Sequence, residues 1–105
     1  MIRIEAVDPS TASDETLRTI HRIDAASVPQ SSRTEADAVL FMRHPPGAAR
    51  RYHWLAFDDD VPSGMLRLTM DSDAFVWTHL RVLPEHRRRG IGRLLFDTAR
   101  EIAGD

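Results

Sequence analysis

The stretch Leu80-Arg81-Val82-Leu83-Pro84-Glu85-His86-Arg87-Arg88-Arg89-Gly90-Ile91-Gly92-Arg93-Leu94-Leu95 decides how this chain is read. An apolar strand pattern that opens at Phe75 ends at Leu83, Pro84 stops it, and an arginine-rich turn leads to two glycines that bracket Ile91 where a helical pattern begins. Glycine at 90 and 92 lets another group approach the backbone, and the unpaired amides of a first helical turn point toward that group. The helix dipole and the side chains of Arg87, Arg88, Arg89 and Arg93 favour an anion there, phosphate oxygens above all. Two standard phosphate motifs are excluded. Leu95 stands where the third glycine of a dinucleotide fingerprint belongs, and no Gly-Lys-Ser/Thr ending makes a Walker loop.

Working outward, the residues before this stretch have a period of two. Tyr52, Trp54 and Ala56 fall on one face and His53, Leu55 and Phe57 on the other; Met65, Arg67 and Thr69 alternate with Leu66, Leu68 and Met70; Phe75 to Leu83 makes a third strand. Turns at Asp58-Asp59-Asp60 and Asp71-Ser72-Asp73 predict an antiparallel meander whose central strand runs around Met65 to Met70. After the glycines, Ile91, Leu94, Leu95, Thr98 and Ile102 define an amphipathic helix, and Ala103-Gly104-Asp105 reads as its C-cap. At the other end, Ile2, Ile4 and Ala6 alternate with Arg3, Glu5 and Val7 in a short strand closed by Asp8-Pro9. Ser10 to Ser13 supply cap oxygens for a helix from about Asp14 to Ala26, with Leu17, Ile20 and Ile23 on its inner face. Ser32-Arg33-Thr34-Glu35 reads as a capping box opening a second helix to about Arg43, which His44 before Pro45-Pro46-Gly47 must end. The order strand, two helices, three-strand meander, helix makes one α+β unit.

Composition narrows the chemistry. The chain has 105 residues, no cysteine, and 14 basic residues that are all arginine, with a formal net charge of -2. One core is expected, over residues 1–105, without disulfides, thiolate zinc or a cysteine nucleophile. The N-terminus has no apolar signal core and nothing approaches the ~20 apolar residues of a membrane span, so a cytoplasmic protein is expected, with no membrane partner. Acids dominate residues 1–40 and bases residues 81–105. A single run of three arginines without an aromatic stacking platform argues against nucleic acid. Asp58-Asp59-Asp60 lacks the further oxygens of a calcium loop and reads as a solvated turn, and the five histidines show no metal-ligand spacing. Trp54, Phe57, Phe75 and Trp77 read as core and sheet packing.

Arg87-Arg88-Arg89-Gly90-Ile91-Gly92 resembles the acyl-CoA signature of the GNAT superfamily of N-acyltransferases: Arg or Gln, two residues, Gly, one residue, Gly or Ala. Val82-Leu83-Pro84 stands in the family's usual place before it, and the order of elements is similar to the first part of that fold. The resemblance implies acetyl-CoA as cosubstrate, with backbone groups of Leu80, Arg81 and Val82 bonding the pantetheine arm like an added strand. The amides from Arg88 through Arg89, Gly90, Ile91 and Gly92 to Arg93, beside Arg87, would cradle the pyrophosphate. An amine, on a small molecule or a peptide, would then attack the thioester directly, with no covalent enzyme intermediate.

Two departures from the family pattern shape the expectations. The fold usually continues past the signature helix with further strands, so residues 1–105 are expected to form an incomplete GNAT-like domain lacking the C-terminal strands. Its exposed edge strand would call for a second copy in a homo-oligomer, such as a dimer, or for a second GNAT-like lobe. The family's usual general-acid tyrosine belongs to that C-terminal part, and Tyr52 is no substitute for it. The signature strand also carries no carboxylate base. His79, sharing a face with Trp77 and Arg81, is the one titratable candidate there, with a reference pKa of ~6.5 suited to proton transfer. The alternative is a lobe that binds CoA or dimerises without turnover.

Overall fold

The computed structural model describes residues 1–27, 34–44, 50–70 and 76–103. In chain order the elements are β1 (Ile2–Val7), α1 (Asp14–Ser27), α2 (Glu35–Arg43), β2 (Arg50–Asp58), β3 (Val61–Met70), β4 (Val76–Val82), a short 3-10 turn at Pro84–His86, and α3 (Ile91–Ala103). This is the expected α+β order. The 4-stranded sheet runs β1-β2-β3-β4, antiparallel throughout.

The β2–β3 connection shows how local chemistry sets the sheet. Asp59 and Asp60 have φ of 51° and 67°, the left-handed pair that a two-residue type I′ hairpin requires, and aspartate tolerates that region better than most residues. Asp58 therefore pairs with Val61, and the central strand starts four residues earlier than the alternation around Met65 to Met70 suggests. Two pairs further on the register shifts: Phe57 faces Pro62, but Ala56 faces Gly64. Ser63 is the extra residue of this bulge. It is fully buried, and its hydroxyl donates to the Ala56 carbonyl at 3.3 Å.

Helices cover both faces. Against α1 and α2 lie Leu55 and Met65, packed with Leu17, Ile20, Ile23, Ala38, Val39 and Met42. Against α3 lie Trp54, Ala56, Leu66 and Leu68, packed with Ile91, Leu95 and Ala99. The alternation read from β2 and β3 thus sorts side chains to faces correctly. On α3 the inner face is Ile91, Leu95 and Ala99, whereas Leu94 is 42% exposed. The inner stripe follows i, i+4, i+8 and leaves Leu94 outside it. Phe75 and the Asp71-Ser72-Asp73 turn lie outside the described residues, as does the Gly104-Asp105 end of the proposed C-cap.

The caps also differ in part from expectation. Ser13 caps α1, its hydroxyl accepting from the Thr16 amide at 3.2 Å. At α2 the cap is Thr34, which accepts from the Asp37 amide at 3.1 Å, and Glu35 instead takes Arg22 Nε at 2.7 Å. The expected Ser32–Glu35 box does not fit a helix that begins at Glu35, because a box partner belongs three residues beyond its cap. Ser32 itself lies outside the described residues. Arg43, at the end of α2, donates to the Pro9 and Ala12 carbonyls, each at 2.9 Å, and pairs with Asp14, clamping the β1–α1 loop.

Candidate functional site

The loop between β4 and α3 is built by three local devices. His86 N donates to Leu83 O at 2.9 Å and Arg87 N to Pro84 O at 3.3 Å, forming the 3-10 turn that Pro84 opens. Arg88 and Gly90 then take φ of 67° and 83°. Gly90 O accepts from Leu94 N at 3.1 Å, so Gly90 caps α3, and the amides of Ile91, Gly92 and Arg93 fall in the first turn where a helix has no carbonyl to offer them. This is the anion-binding geometry of a helix start. The two glycines do different work. A Cβ on Gly90 would meet nothing within 4 Å, so glycine is needed there for its backbone angle. A Cβ on Gly92 would sit 3.7 Å from Leu80 Cδ2 and 3.8 Å from Val82 Cγ2, where the first turn of α3 packs on β4.

The arginines of the loop are arranged differently from one another. Arg87 Nε donates to Val82 O at 3.2 Å, Arg89 Nη1 lies 3.3 Å from Asp58 Oδ2, and Arg93 Nε lies 3.5 Å from Asp97 Oδ2, while Arg88 is exposed. Asp58 also receives His86 Nδ1 at 3.1 Å, and its side chain is only 7% exposed. The expected solvated turn is therefore corrected at Asp58. It is a buried carboxylate tying the β2–β3 hairpin to the loop, because the type I′ turn leaves it inside the sheet as the last residue of β2. Asp59 and Asp60 stay at the surface, paired with the N-terminal amine and with Arg3.

Antiparallel pairing fixes which backbone groups of β4 are open. Leu83 N donates to Ser63 O at 2.9 Å, and Arg81 pairs with Met65. Alternation then turns the amides and carbonyls of Arg81 toward β3 and those of Leu80 and Val82 away from it. Among the described residues β4 pairs on one side only. On the open side arginine side chains reach both carbonyls, Arg81 Nη1 to Leu80 O at 3.1 Å and Arg87 Nε to Val82 O at 3.2 Å.

His79 lies on the α1 side of β4, half-buried, in a row that crosses the sheet: His53 pairs with Arg67, and Arg67 with His79. Arg67 Nε donates to His53 Nε2 at 3.3 Å, and Arg81 Nε is 3.1 Å from Asp24 Oδ1 on α1. Burial, then the guanidinium charges of Arg67 and Arg81, lower the His79 pKa below the usual imidazole value, with Asp24 acting in the opposite sense. His53, 3% exposed, is pushed down to about 4 by burial and by Arg67 and Arg51. With Nε2 accepting from Arg67, the His53 proton sits on Nδ1, which has no hydrogen-bond partner. His53, Arg67, Asp24 and His86 were not singled out from the sequence as site residues, and Asp58 was read only as part of a solvated turn. Their signal was available only once the strand register was known, apart from Gly64, a glycine within a strand that hints at the neighbouring bulge.

A cleft of ≈ 370 Å³ lies where α1 crosses the ends of β3 and β4, lined by Glu15, Thr19, Arg22, Ile23, Pro62 and Leu83. None of the catalytic or cofactor-binding residues expected from the sequence lines it, although Leu83 of the stretch between β4 and α3 does. Among the described residues no group of His, Asp and Glu is placed to hold a metal ion, and no helix is long and apolar enough to cross a membrane.

The family profile of the GNAT acetyltransferases matches residues 16–105, and the chain belongs to that family. Solved structures agree in fold. The chain is 28% identical, with a TM-score of 0.78, to a tandem GNAT protein from the clavulanic acid biosynthesis pathway, covering 99% of this chain and 33% of that one. An aminoglycoside acetyltransferase from an uncultured soil metagenomic sample, in complex with sisomicin, is 15% identical with a TM-score of 0.76 over 98% of this chain and 70% of its own. The PaiA N-acetyltransferase from Thermoplasma acidophilum, in complex with coenzyme A, is 18% identical with a TM-score of 0.68 over 97% of this chain and 72% of its own. No curated protein sequence matches this chain. The chain thus corresponds to the fold's part up to the signature helix, as the order of elements implies, and spans a third of the tandem protein.

Proposed function

We propose that this chain carries the acyl-CoA site of an N-acyltransferase, with acetyl-CoA as donor and a small-molecule or peptide amine as acceptor. The observation that carries the proposal is the juxtaposition of an anion-binding helix start, at Gly90 to Arg93, with the open edge of β4 at Leu80 and Val82. A pyrophosphate suits the first and an amide-bearing chain the second, since the pantetheine arm can exchange strand-like hydrogen bonds with Leu80 and Val82. Arg87 and Arg81 would release the two carbonyls as the arm binds. Arg81 contributes through its side chain, because its own backbone is committed to β3.

In the reaction the amine nitrogen attacks the thioester carbonyl carbon, the C–S bond breaks, and the amine proton leaves as the thiolate is released. His79 supports the first proton transfer: its depressed pKa keeps it neutral near pH 7, so its ring nitrogen can accept a proton directly or through water. The open edge of β4 also supports pairing with a second copy or a second GNAT-like lobe in the whole protein.

Thermal unfolding with and without saturating acetyl-CoA tests the donor site, with adenosine 3′,5′-bisphosphate as the control lacking pantetheine. A ligand at a hundred times its dissociation constant stabilises the folded state by ~2.7 kcal/mol. A shift with acetyl-CoA well above the control is expected, and Gly90→Asp or Gly92→Asp should abolish it, each placing a carboxylate where phosphate oxygens belong. Equal shifts with both compounds, or none, would overturn the proposal. Release of free CoA thiol in the presence of amines separates turnover from binding alone.

A further inference from the structure

The loop that carries Gly90 is tied to the β2–β3 hairpin at its start, its middle and its end. At the start, Leu83 N donates to Ser63 O at 2.9 Å. At the end, Ile91 is seated on Gly64, where a Cβ would come within 3.2 Å of Ile91 Cγ2 and 3.0 Å of Arg81 O. In the middle, Asp58 Oδ2 accepts from His86 Nδ1 at 3.1 Å and from Arg89 Nη1 at 3.3 Å. The hairpin is itself fixed, because Asp59 and Asp60 hold its two left-handed turn positions and Asp59 N donates to Met1 O at 3.0 Å, joining the turn to β1.

The middle tie has a specific target. Arg88 has φ of 67° without being glycine, a conformation that costs an L residue free energy and persists where the surroundings impose it. His86 and Arg89 stand on either side of it, and one carboxylate holds both. Arg87, between them, is fastened to Val82 O at 3.2 Å. Arg88 itself is exposed, so the strain is held by its neighbours. A carboxylate that is buried beside a helix start suited to phosphate otherwise works against the site, since its charge opposes an anion. The pairing with Arg89 offsets that charge, and the hold on the loop gives the carboxylate its use.

We infer that Asp58 is a positioning residue of the donor site: it keeps the loop around Arg88 in its anion-binding form before the diphosphate of CoA arrives, so that binding does not have to order the loop. This inference rests on the acyl-CoA reading of the loop.

A double-mutant cycle on the full chain tests it, with acetyl-CoA and inorganic pyrophosphate as probes and calorimetry well below the melting temperature of every variant. Asp58→Asn keeps the side-chain shape and removes the charge, and is expected to weaken both probes about tenfold. Arg88→Gly lowers the cost of the left-handed position, so in that background Asp58→Asn should weaken them only about threefold or less. A carboxylate that served stability alone would show no such dependence on residue 88. If Asp58→Asn does not fold, His86→Ala removes one of the two donors from the loop itself and should show the same dependence. Equal losses in both backgrounds, unchanged binding, or tighter binding once the carboxylate is neutralised would overturn the inference and leave the donor site standing. Failure of the unsubstituted chain to bind either probe would overturn the donor reading, and this inference with it.

Discussion

The two faces of the sheet are built on opposite principles. Under α3 the strands present an apolar surface, and Trp54, Ala56, Leu66 and Leu68 meet Ile91, Leu95 and Ala99 with little polar interruption. Under α1 and α2 the same strands are apolar along Leu55, Phe57 and Met65, and the adjacent row is His53, Arg67 and His79. One face is committed to holding the sheet to the signature helix. The other gives up part of its packing to keep charged and titratable groups half-buried beside β4, an arrangement expected where ligands bind.

Truncating the α3 face should have the largest effect. Leu95→Ala removes a fully buried side chain and is expected to cost about 2–5 kcal/mol in denaturant unfolding, with the loss unchanged between pH 4 and 7. A pH-dependent loss would break the contrast between the faces. The next effect belongs to the other face. Because His53 is pushed down to about 4 from an ordinary 6.5, the unfolded chain binds more protons than the folded one between those values. Its contribution is fully present above about pH 6.5 and lost as pH falls toward 4, by up to about 3 kcal/mol. Stability measured against pH should show this slope, and His53→Phe should flatten it.

Between the faces, at the hairpin that meets the loop, Asp58→Asn should cost about 1–3 kcal/mol, since it weakens a buried acceptor shared by His86 and Arg89. A smaller pair of substitutions, with opposite signs, sharpens the assignment within the loop. Gly90→Ala is expected to destabilise by about 1 kcal/mol through its positive φ, whereas Gly92→Ala, whose Cβ makes ordinary contact with Leu80 and Val82, should be neutral or slightly stabilising. At the small end, Arg93→Gln breaks an exposed pair with Asp97 and should leave the melting temperature unchanged.

Much of this was legible beforehand. Period-two alternation in β2 and β3 sorted Trp54 from Leu55 and Leu66 from Met65, because burial on a sheet acts on every second side chain. Pro84, Gly90 and Gly92 marked the anion loop through constraints that act within a few residues. The long-range partners were not legible. Nothing near Asp58 in the chain announces His86 and Arg89, and nothing near Arg81 announces Asp24, since those meetings depend on where distant elements dock.

The bulge marks the boundary between the two kinds of information. Sequence alone determined that this chain makes an α+β fold with a meander, a GNAT-type loop and two apolar stripes, since each follows from local periodicity, turn chemistry or a short motif. A simple two-residue hairpin at Asp59-Asp60 would set His53 opposite Leu66 and put Arg67 on the α3 side. The extra residue Ser63 advances β3 by one, so that His53 meets Arg67 and Trp54 meets Leu66. Only the tertiary structure decided that step, because a one-residue shift leaves every local propensity intact and is selected by the fit of both helical layers at once.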